Sequence, residues 1–446
     1  MHFLESNGFS FLDAINIKNI STDESDKTTH TTRMSLTVKH LNSDACFLLT
    51  FQPISSFPPS PGQSSQAFTI LLDPWLSGPS KIFHSKFSIS KNKAQACVSS
   101  LRELPEPDIV VISQDKTDHC HKETLTQLPP SGGKTIILAE PVAAKLIKGW
   151  KHFDKTKLAT LQKWEKADKV GSMVYRVPVL APTPNGEIPK NNGSSIYVPV
   201  PSSAPSDEDT KSKGSSIYRV ALPAATPNGL PGEVTIAFVP QKGDITRLHN
   251  AICITYRPPT SFGNHPDTPP DTPTSPRSTS TFDTPSSNRA LSVIYSPHGC
   301  TYKTLEPYIT SHLVREAALP LTALLHCFDK IQNAWYLGGN VCTGFPGGLE
   351  IAQNLCARAW ISAHDGDKDI KGLATKKIVV EKYDREEVES VISPRSEKFP
   401  NRRIGTEAVV LQPGEEIHLS NVMDFGLDED DTVGGLRERF TNLAAV

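Results

Sequence analysis

From Met34 onward, short apolar runs alternate with turn residues, and this rhythm defines the predicted elements. Residues 35–41 (SLTVKHL), 46–51 (CFLLTF) and 68–73 (FTILLD) are rich in β-branched and aromatic residues and bounded by turn formers, so each predicts a strand. Residues 94–104 (AQACVSSLREL) and 122–128 carry helical spacing, and 108–113 (DIVVIS) between them is a nearly continuous apolar run of the kind a strand buried on both faces needs. The alternation repeats with a strand at 134–140 (KTIILAE) followed by a helix at 141–150 (PVAAKLIKGW), which predicts an α/β layer.

The middle of the chain changes character. Residues 172–179 (SMVYRVPV), 215–222 (SSIYRVAL), 233–239 (EVTIAFV) and 251–257 (AICITYR) all read as strands. Two of these belong to an internal repeat, 171–186 and 214–229, which share Gly, Tyr-Arg-Val and a closing Thr-Pro-Asn-Gly. One pair of copies is too few for a solenoid, so the pattern predicts a duplicated strand and turn. The α/β rhythm then returns, with strands at 290–296, 322–328 and 359–364 and helices near 304–316 and 347–357.

Composition sets the boundaries. Residues 1–31 end in a polar run and predict a flexible leader, 32–425 a single domain, and 426–446 a tail. Two flexible inserts are expected, one at about 185–214, where 201–214 (PSSAPSDEDTKSKG) is polar, and a Pro/Ser/Thr-rich one at 258–289, which is almost free of the aliphatics that could offset ordering entropy. The second places Thr268, Thr272, Ser275 and Thr284 directly before proline, which offers a proline-directed kinase a set of acceptors. Its simpler account is a tolerated surface insertion.

A formal net charge of −2 gives no global field for nucleic acid or an anionic membrane. No run of about 18 apolar residues predicts a membrane span. The eight cysteines are scattered without a C-x-x-C pair, as expected of reduced thiols, and a cytoplasmic or nuclear setting is the expectation. The glycine-rich stretch 337–350 lacks the Gly-Lys-Ser/Thr ending of a phosphate loop, and no G-x-S-x-G elbow offers a serine nucleophile.

The chemistry is concentrated at 108–125, DIVVISQDKTDHCHKETL, where a buried strand runs into a polar loop and then a helix beginning near His121. Loops at the carboxyl ends of such strands face the crevice where α/β proteins place ligands. This segment resembles the metal-binding loop of the metallo-β-lactamase superfamily, whose pattern is H-x-H-x-D-H. Gln114 and Lys116 stand at the two leading histidine positions, while Asp118 and His119 keep the last two. LLDPWLSG (71–78) is similar to a strand end of the UlaG-like branch, AWISAHDG (359–366) to the late strand bearing the final histidine, and QPGEE (412–416) to the closing turn.

The resemblance implies a four-layer αβ/βα metallo-β-lactamase-like sandwich over roughly 35–420, inserts excluded. It implies metal ligands at Asp118, His119 and His364. His298 in VIYSPHG stands where the family places a bridging aspartate, and His249 falls several residues late for the expected mid-chain histidine. Two-metal hydrolases hold their ions about 3.5–4 Å apart. Here the first half-site has lost two imidazoles, and a protonated lysine has no lone pair to give. The expectation is therefore one divalent ion, Zn²⁺ first and Fe or Mn as alternatives, held by Asp118, His119, His298 and His364.

The functional expectation is a metal-dependent hydrolase of a small molecule. Asp118, His119, Lys116 and His298 would be its catalytic groups, with Lys116 supplying positive charge and His298 completing the shell or acting as a base. The alternative is an inactive binding or regulatory module, and a third reading is a lyase or isomerase using one Lewis-acid ion. Bland readings stand beside these: Asp118 and His119 as helix caps, His364 as a turn histidine, Lys116 as a solvated loop lysine, and Cys120 and His121 as ordinary first-turn residues.

Overall fold

The computed structural model describes residues 33–54, 67–82, 84–165, 217–224, 230–259, 289–392 and 405–420. The predicted leader, tail, insert at 185–214 and first repeat copy, with the four Ser/Thr-Pro sites, lie outside the described residues.

In chain order the first portion supplies β1 (Arg33–His40), β2 (Phe47–Ile54), β3 (Phe68–Leu72), β4 (Ser80–Ile82), β5 (Ser88–Asn92), β6 (Ile109–Ile112), α1 (Lys122–Leu125), β7 (Ile136–Ala139), α2 (Pro141–Gly149) and β8 (Leu158–Thr160). Next come β9 (Ile217–Leu222), β10 (Gly232–Pro240), β11 (Asn250–Arg257), β12 (Leu291–Ser296), α3 (Tyr302–Tyr308), β13 (Ala323–His326), β14 (Lys330–Gln332) and β15 (Asn340–Cys342). The last portion holds α4 (Gly344–Asn354), β16 (Ala359–Ser362), β17 (Lys368–Lys371), β18 (Val379–Glu381), α5 (Arg385–Ile392), β19 (Glu407–Val409) and β20 (Glu416–Ser420).

Two seven-stranded sheets dominate, in the orders β20-β1-β2-β3-β6-β7-β8 and β19-β16-β13-β12-β11-β10-β9. Each is antiparallel on one side and parallel on the other: β1, β2 and β3 form a meander before β3, β6, β7 and β8 run parallel, and β9 to β12 do the same before β13, β16 and β19. Two three-stranded sheets, β15-β14-β18 and β17-β5-β4, are separate from them.

Strand alternation sorts the side chains into layers. Ile70, Leu72, Ile109, Val111 and Leu138 of the first sheet join Val234, Ile236, Ile252, Ile254, Val293, Leu325 and Ile361 of the second in one core between the sheets. The intervening residues point outward. Leu71, Val110, Ile112, Ile137 and Ala139 pack with Leu125, Ala143, Ala144 and Ile147 of α1 and α2. Ala237, Cys253, Ile294, Leu324 and Trp360 pack with Leu305, Ile351, Ala352, Val388 and Ile392 of α3, α4 and α5. Both faces of each sheet are thus covered, which is why strands such as IVVI carry no polar position. The result is the four-layer αβ/βα metallo-β-lactamase-like sandwich, and the second repeat copy supplies β9 at its edge. Gly348 of α4 lies flat against the Trp360 indole, leaving no room for a Cβ.

Some expected elements come out differently. Residues 94–104 form bends with a single 3₁₀ turn at Leu101–Glu103 instead of a helix. Ser100 Oγ accepts from Arg102 N, and the Glu103 carboxylate accepts from Ser99 N and Ser99 Oγ, so local side chains take the amides that a helix would use. The helix expected at 304–316 is α3 followed by a π turn at Ile309–Leu313. Among the described residues, no helix is long and apolar enough to cross a membrane.

Candidate metal centre

The site forms where strand ends from both sheets meet. Asp73 follows β3, residues 113–121 follow β6, His298 follows β12, and His364 follows β16. The turn between β1 and β2 adds Asp44, and Lys368 opens β17. Asp73 and His364 take left-handed backbone angles, φ 40° and 71°, which non-glycine residues adopt only when their surroundings hold them there.

Three buried imidazoles converge. One potential ligand atom each from His119, His298 and His364 lies within 4.8 Å of the others, and His119 Nε2 is 3.1 Å from His298 Nε2. The opposite nitrogen of every ring is already committed. His119 Nδ1 donates to Asp73 Oδ2 at 2.7 Å, His298 Nδ1 to Val341 O at 2.9 Å, and His364 Nδ1 approaches Asp44 Oδ1 at 2.8 Å. With Nδ1 donating, Nε2 carries the lone pair.

Two such lone pairs cannot face each other at 3.1 Å unless a proton or a cation lies between them. The N···N edge of a tetrahedral Zn²⁺ site is about 3.3 Å, given Zn–N bonds near 2.0–2.1 Å. Oxygen partners on the remote nitrogen are the usual support for ligating histidines.

Asp118 supplies a further observation. Its Oδ1 is buried with no hydrogen-bond partner, and its carboxylate lies within 4.8 Å of ligand atoms of His364 and Asp44. Burial pushes its pKa up, but His119, Lys368 and His364 outweigh that and hold it below the usual carboxylate range. Burial lowers His298 and His364, keeping both neutral and able to donate to a metal. Burial also lowers His119, but Asp73 and Asp118 more than offset this and raise it. The donor set, three imidazoles with an orphaned carboxylate oxygen alongside, therefore fits a divalent ion.

Of the four ligand candidates, His119, His298 and His364 form one group, while Asp118 falls in a second group with Asp44 and His364. The helix cap is His121, whose Nδ1 accepts from Thr124 N, so Asp118 does not fill that role. Cys120 is buried in the helical-layer core. His249 is placed elsewhere, its ring nitrogens 2.9 Å from Gly299 O and 3.1 Å from Asn340 O. In the half-site without histidines, Gln114 Nε2 donates to Leu248 O at 2.9 Å, so the chain before β11 closes over that position. Lys116 Nζ pairs with Asp115 Oδ1 at 3.0 Å, and Asp115 Oδ2 takes Arg247.

Three neighbours of the cluster had no assigned role in the sequence. Asp73 is the hub: Oδ1 accepts from Ser113 N, and Oδ2 accepts from Ser113 Oγ, His119 Nδ1 and the Tyr295 hydroxyl. Asp44 clamps His364 twice, through its carbonyl to His364 N at 3.0 Å and through Oδ1 to the ring. Lys368 Nζ lies 2.7 Å from the same Oδ1. A lysine four residues after a late-strand histidine was the only signal available for that contact.

Residues 63–198 match the family model described as the Beta-lactamase superfamily domain. No curated protein matches the chain. Among solved structures, similarity extends to Igni18, a metallo hydrolase from Ignicoccus hospitalis KIN4/I, at 10% identity and a TM-score of 0.34, over 86% of this chain and 98% of that one. An isothiocyanate hydrolase from Delia radicum gut bacteria is similar at 10% identity and a TM-score of 0.40, over 85% and 98%. A point mutant of the CmlA β-hydroxylase is similar at 13% identity and a TM-score of 0.38, over 88% and 54%.

Proposed function

We propose that this chain is a metal-dependent hydrolase of the UlaG-like type, with a degenerate loop and a single divalent ion, Zn²⁺ in the first instance. The observation that carries the reading is the convergence of three buried imidazoles, each with Nδ1 against an oxygen, with His119 Nε2 3.1 Å from His298 Nε2. His119, His298 and His364 would hold the ion, with Asp118 beside them. An ion there supplies Lewis acidity, acidifying water and polarising a substrate oxygen. Asp118 Oδ1, buried and unpartnered, is the group able to accept a proton from an attacking water. Asp73 holds His119 in one tautomer and Asp44 does the same for His364. Lys116, drawn to Asp115, is left to meet an anionic group of a small-molecule substrate at the rim.

The test is elemental analysis of protein purified without a metal-binding tag. About one ion per chain is expected, with loss of the ion in His119→Ala, His298→Ala and His364→Ala at unchanged circular dichroism. Wild-type protein that retains no Zn²⁺, Fe or Mn after equilibration would leave a binding module as the better account.

A further inference from the structure

Among the described residues, more than half of the large hydrophobic side chains that stand exposed lie in three segments, at 245, 335–336 and 370–380. Ile245 is 94% exposed and Trp335 86%, so nearly the whole of each side chain stands clear of the protein. A single exposed apolar residue needs no account, but a cluster of them marks a surface that something else covers. Contacts hold these segments together. Lys377 Nζ donates to the Tyr336 hydroxyl at 2.8 Å, Asn333 Nδ2 donates to Ala374 O at 2.8 Å, and β14 pairs with β18 so that Gln332 faces Val379. Gly338 lies beside Thr246, whose Cγ2 would be 3.9 Å from a Cβ placed there. The same face is cationic. Leu373 N donates to Lys86 O, and β17 pairs with β5, which sets exposed Lys86, Lys91, Lys371, Lys376 and Lys377 among the apolar side chains. Of the nearby acids, Asp369 faces Lys91 across the strand pair, Glu381 takes Lys330 and Asp367 takes Lys382. Lys371, Lys376 and Lys377 keep no carboxylate partner among the described residues. The net charge of −2 over the whole chain averages this local excess away.

We propose that this face docks on an anionic lipid bilayer, with Ile245, Trp335 and Leu373 entering the headgroup region and the lysines meeting lipid phosphates and carboxylates. Indole and phenol rings favour the boundary between water and hydrocarbon, and each lysine near an anionic leaflet adds to the attraction. Exposed aliphatic side chains such as Ile245, Leu373 and Val379 offer nothing to a nucleic acid, which takes cations and stacking rings. A protein partner would need a preformed pocket for each protruding side chain, whereas a fluid layer closes around them. The face also borders the candidate metal centre. Lys81 N donates to Thr117 Oγ1 of the loop after β6 at 2.8 Å, and Val341, just past the 335–339 turn, holds the His298 ring through its carbonyl. Docking itself uses no metal ion, so it stands apart from the metal-centre reading.

The test is co-sedimentation of the full-length chain, treated with chelator, with vesicles of phosphatidylcholine alone and of equal parts phosphatidylcholine and phosphatidylserine. Wild type should bind the mixed vesicles more tightly than the neutral ones, and the difference should shrink as salt is raised. Lys376→Ala/Lys377→Ala should weaken binding to the mixed vesicles by roughly 30-fold, at about fivefold per charge, and leave binding to neutral vesicles nearly unchanged. Trp335→Ser should weaken binding to both by at least about tenfold. Trp335→Phe should bind near the wild-type level while losing most of the tryptophan emission shift that accompanies binding. Val314→Ser, at an exposed apolar position outside the face, should behave as wild type. Three results would overturn the proposal: no sedimentation with the mixed vesicles, sedimentation that neither the lysine pair nor Trp335→Ser weakens, or a dimer in solution that Trp335→Ser dissolves. Binding to a mixed-sequence single-stranded RNA that is tighter than binding to vesicles, and lost in the lysine variant, would overturn it in favour of a nucleic acid.

Discussion

Asp73 holds more of the candidate site together than any ligand does. Its two oxygens collect Ser113, His119 and Tyr295 at 2.5–2.7 Å, on a backbone strained to φ 40°. Asp73→Asn keeps the shape but replaces one charged acceptor with an amide, so the His119 ring loses the partner that fixes its tautomer. We expect Zn²⁺ affinity to fall about 10–100-fold, measured by competition with a chromophoric chelator, with folding little changed. Sequence reasoning singled out Asp118, His119, His298 and His364 through the resemblance of a loop and of two strand ends to a known family. It saw Asp73 only as part of LLDPWLSG. Asp44 sits in HLNSDACF and Lys368 in DGDKDIK, stretches indistinguishable from ordinary turns. What picks them out is a contact across the fold, which spacing along the chain does not encode.

Elements were legible where the apolar pattern was long and unambiguous. The strands at 109–112, 136–139, 291–296 and 359–362 appear where expected, and helices α2 and α4 do too. The failure at 94–104 came from Ser99 and Ser100, whose side chains and neighbours satisfy amides locally. The π turn after α3 is the other departure, and it carries a testable buried group. His312 lies 3.1 Å from Thr235 Oγ1 and near Glu316, and burial, assisted by Arg219 and Arg315 against the pull of Glu316, lowers its pKa from 6.5 to about 4. A base whose folded pKa is depressed binds its proton more tightly in the unfolded chain. The neutral ring therefore contributes its full stability above pH 6.5, and that contribution is lost as pH falls toward 4. His312→Asn should flatten the pH dependence of unfolding between these values, by at most about 3 kcal/mol. Parallel denaturant titrations at pH 7 and 4.5 would show equal losses in both proteins if the idea were wrong.

At the scale of the whole molecule, the candidate ligands come from both sheets: His119 from the loop after β6, and His298 and His364 from the ends of β12 and β16. Protein contacts already join these halves, with the Tyr295 hydroxyl 2.8 Å from Ala45 O and His364 N donating to Asp44 O. A bound ion would add to them. At one hundred times its dissociation constant, a ligand confined to the native state adds about 2.7 kcal/mol. Chelation should therefore lower the melting temperature by several degrees, reversibly on adding Zn²⁺, whereas His364→Ala should show no response to either treatment. The sandwich itself was readable from the chain because apolar runs covered on both faces leave few other architectures. The pairing of distant strand ends was readable only through the family likeness.

The left-handed backbone at His364 fixes how readily this centre can be redesigned. That residue supplies a ring to the cluster while its main chain is bent the way glycine prefers, so the fold spends conformational energy to present one side chain. His364→Gly would relieve that bend at the cost of the ring, whereas any other replacement there inherits the bend without an imidazole to show for it.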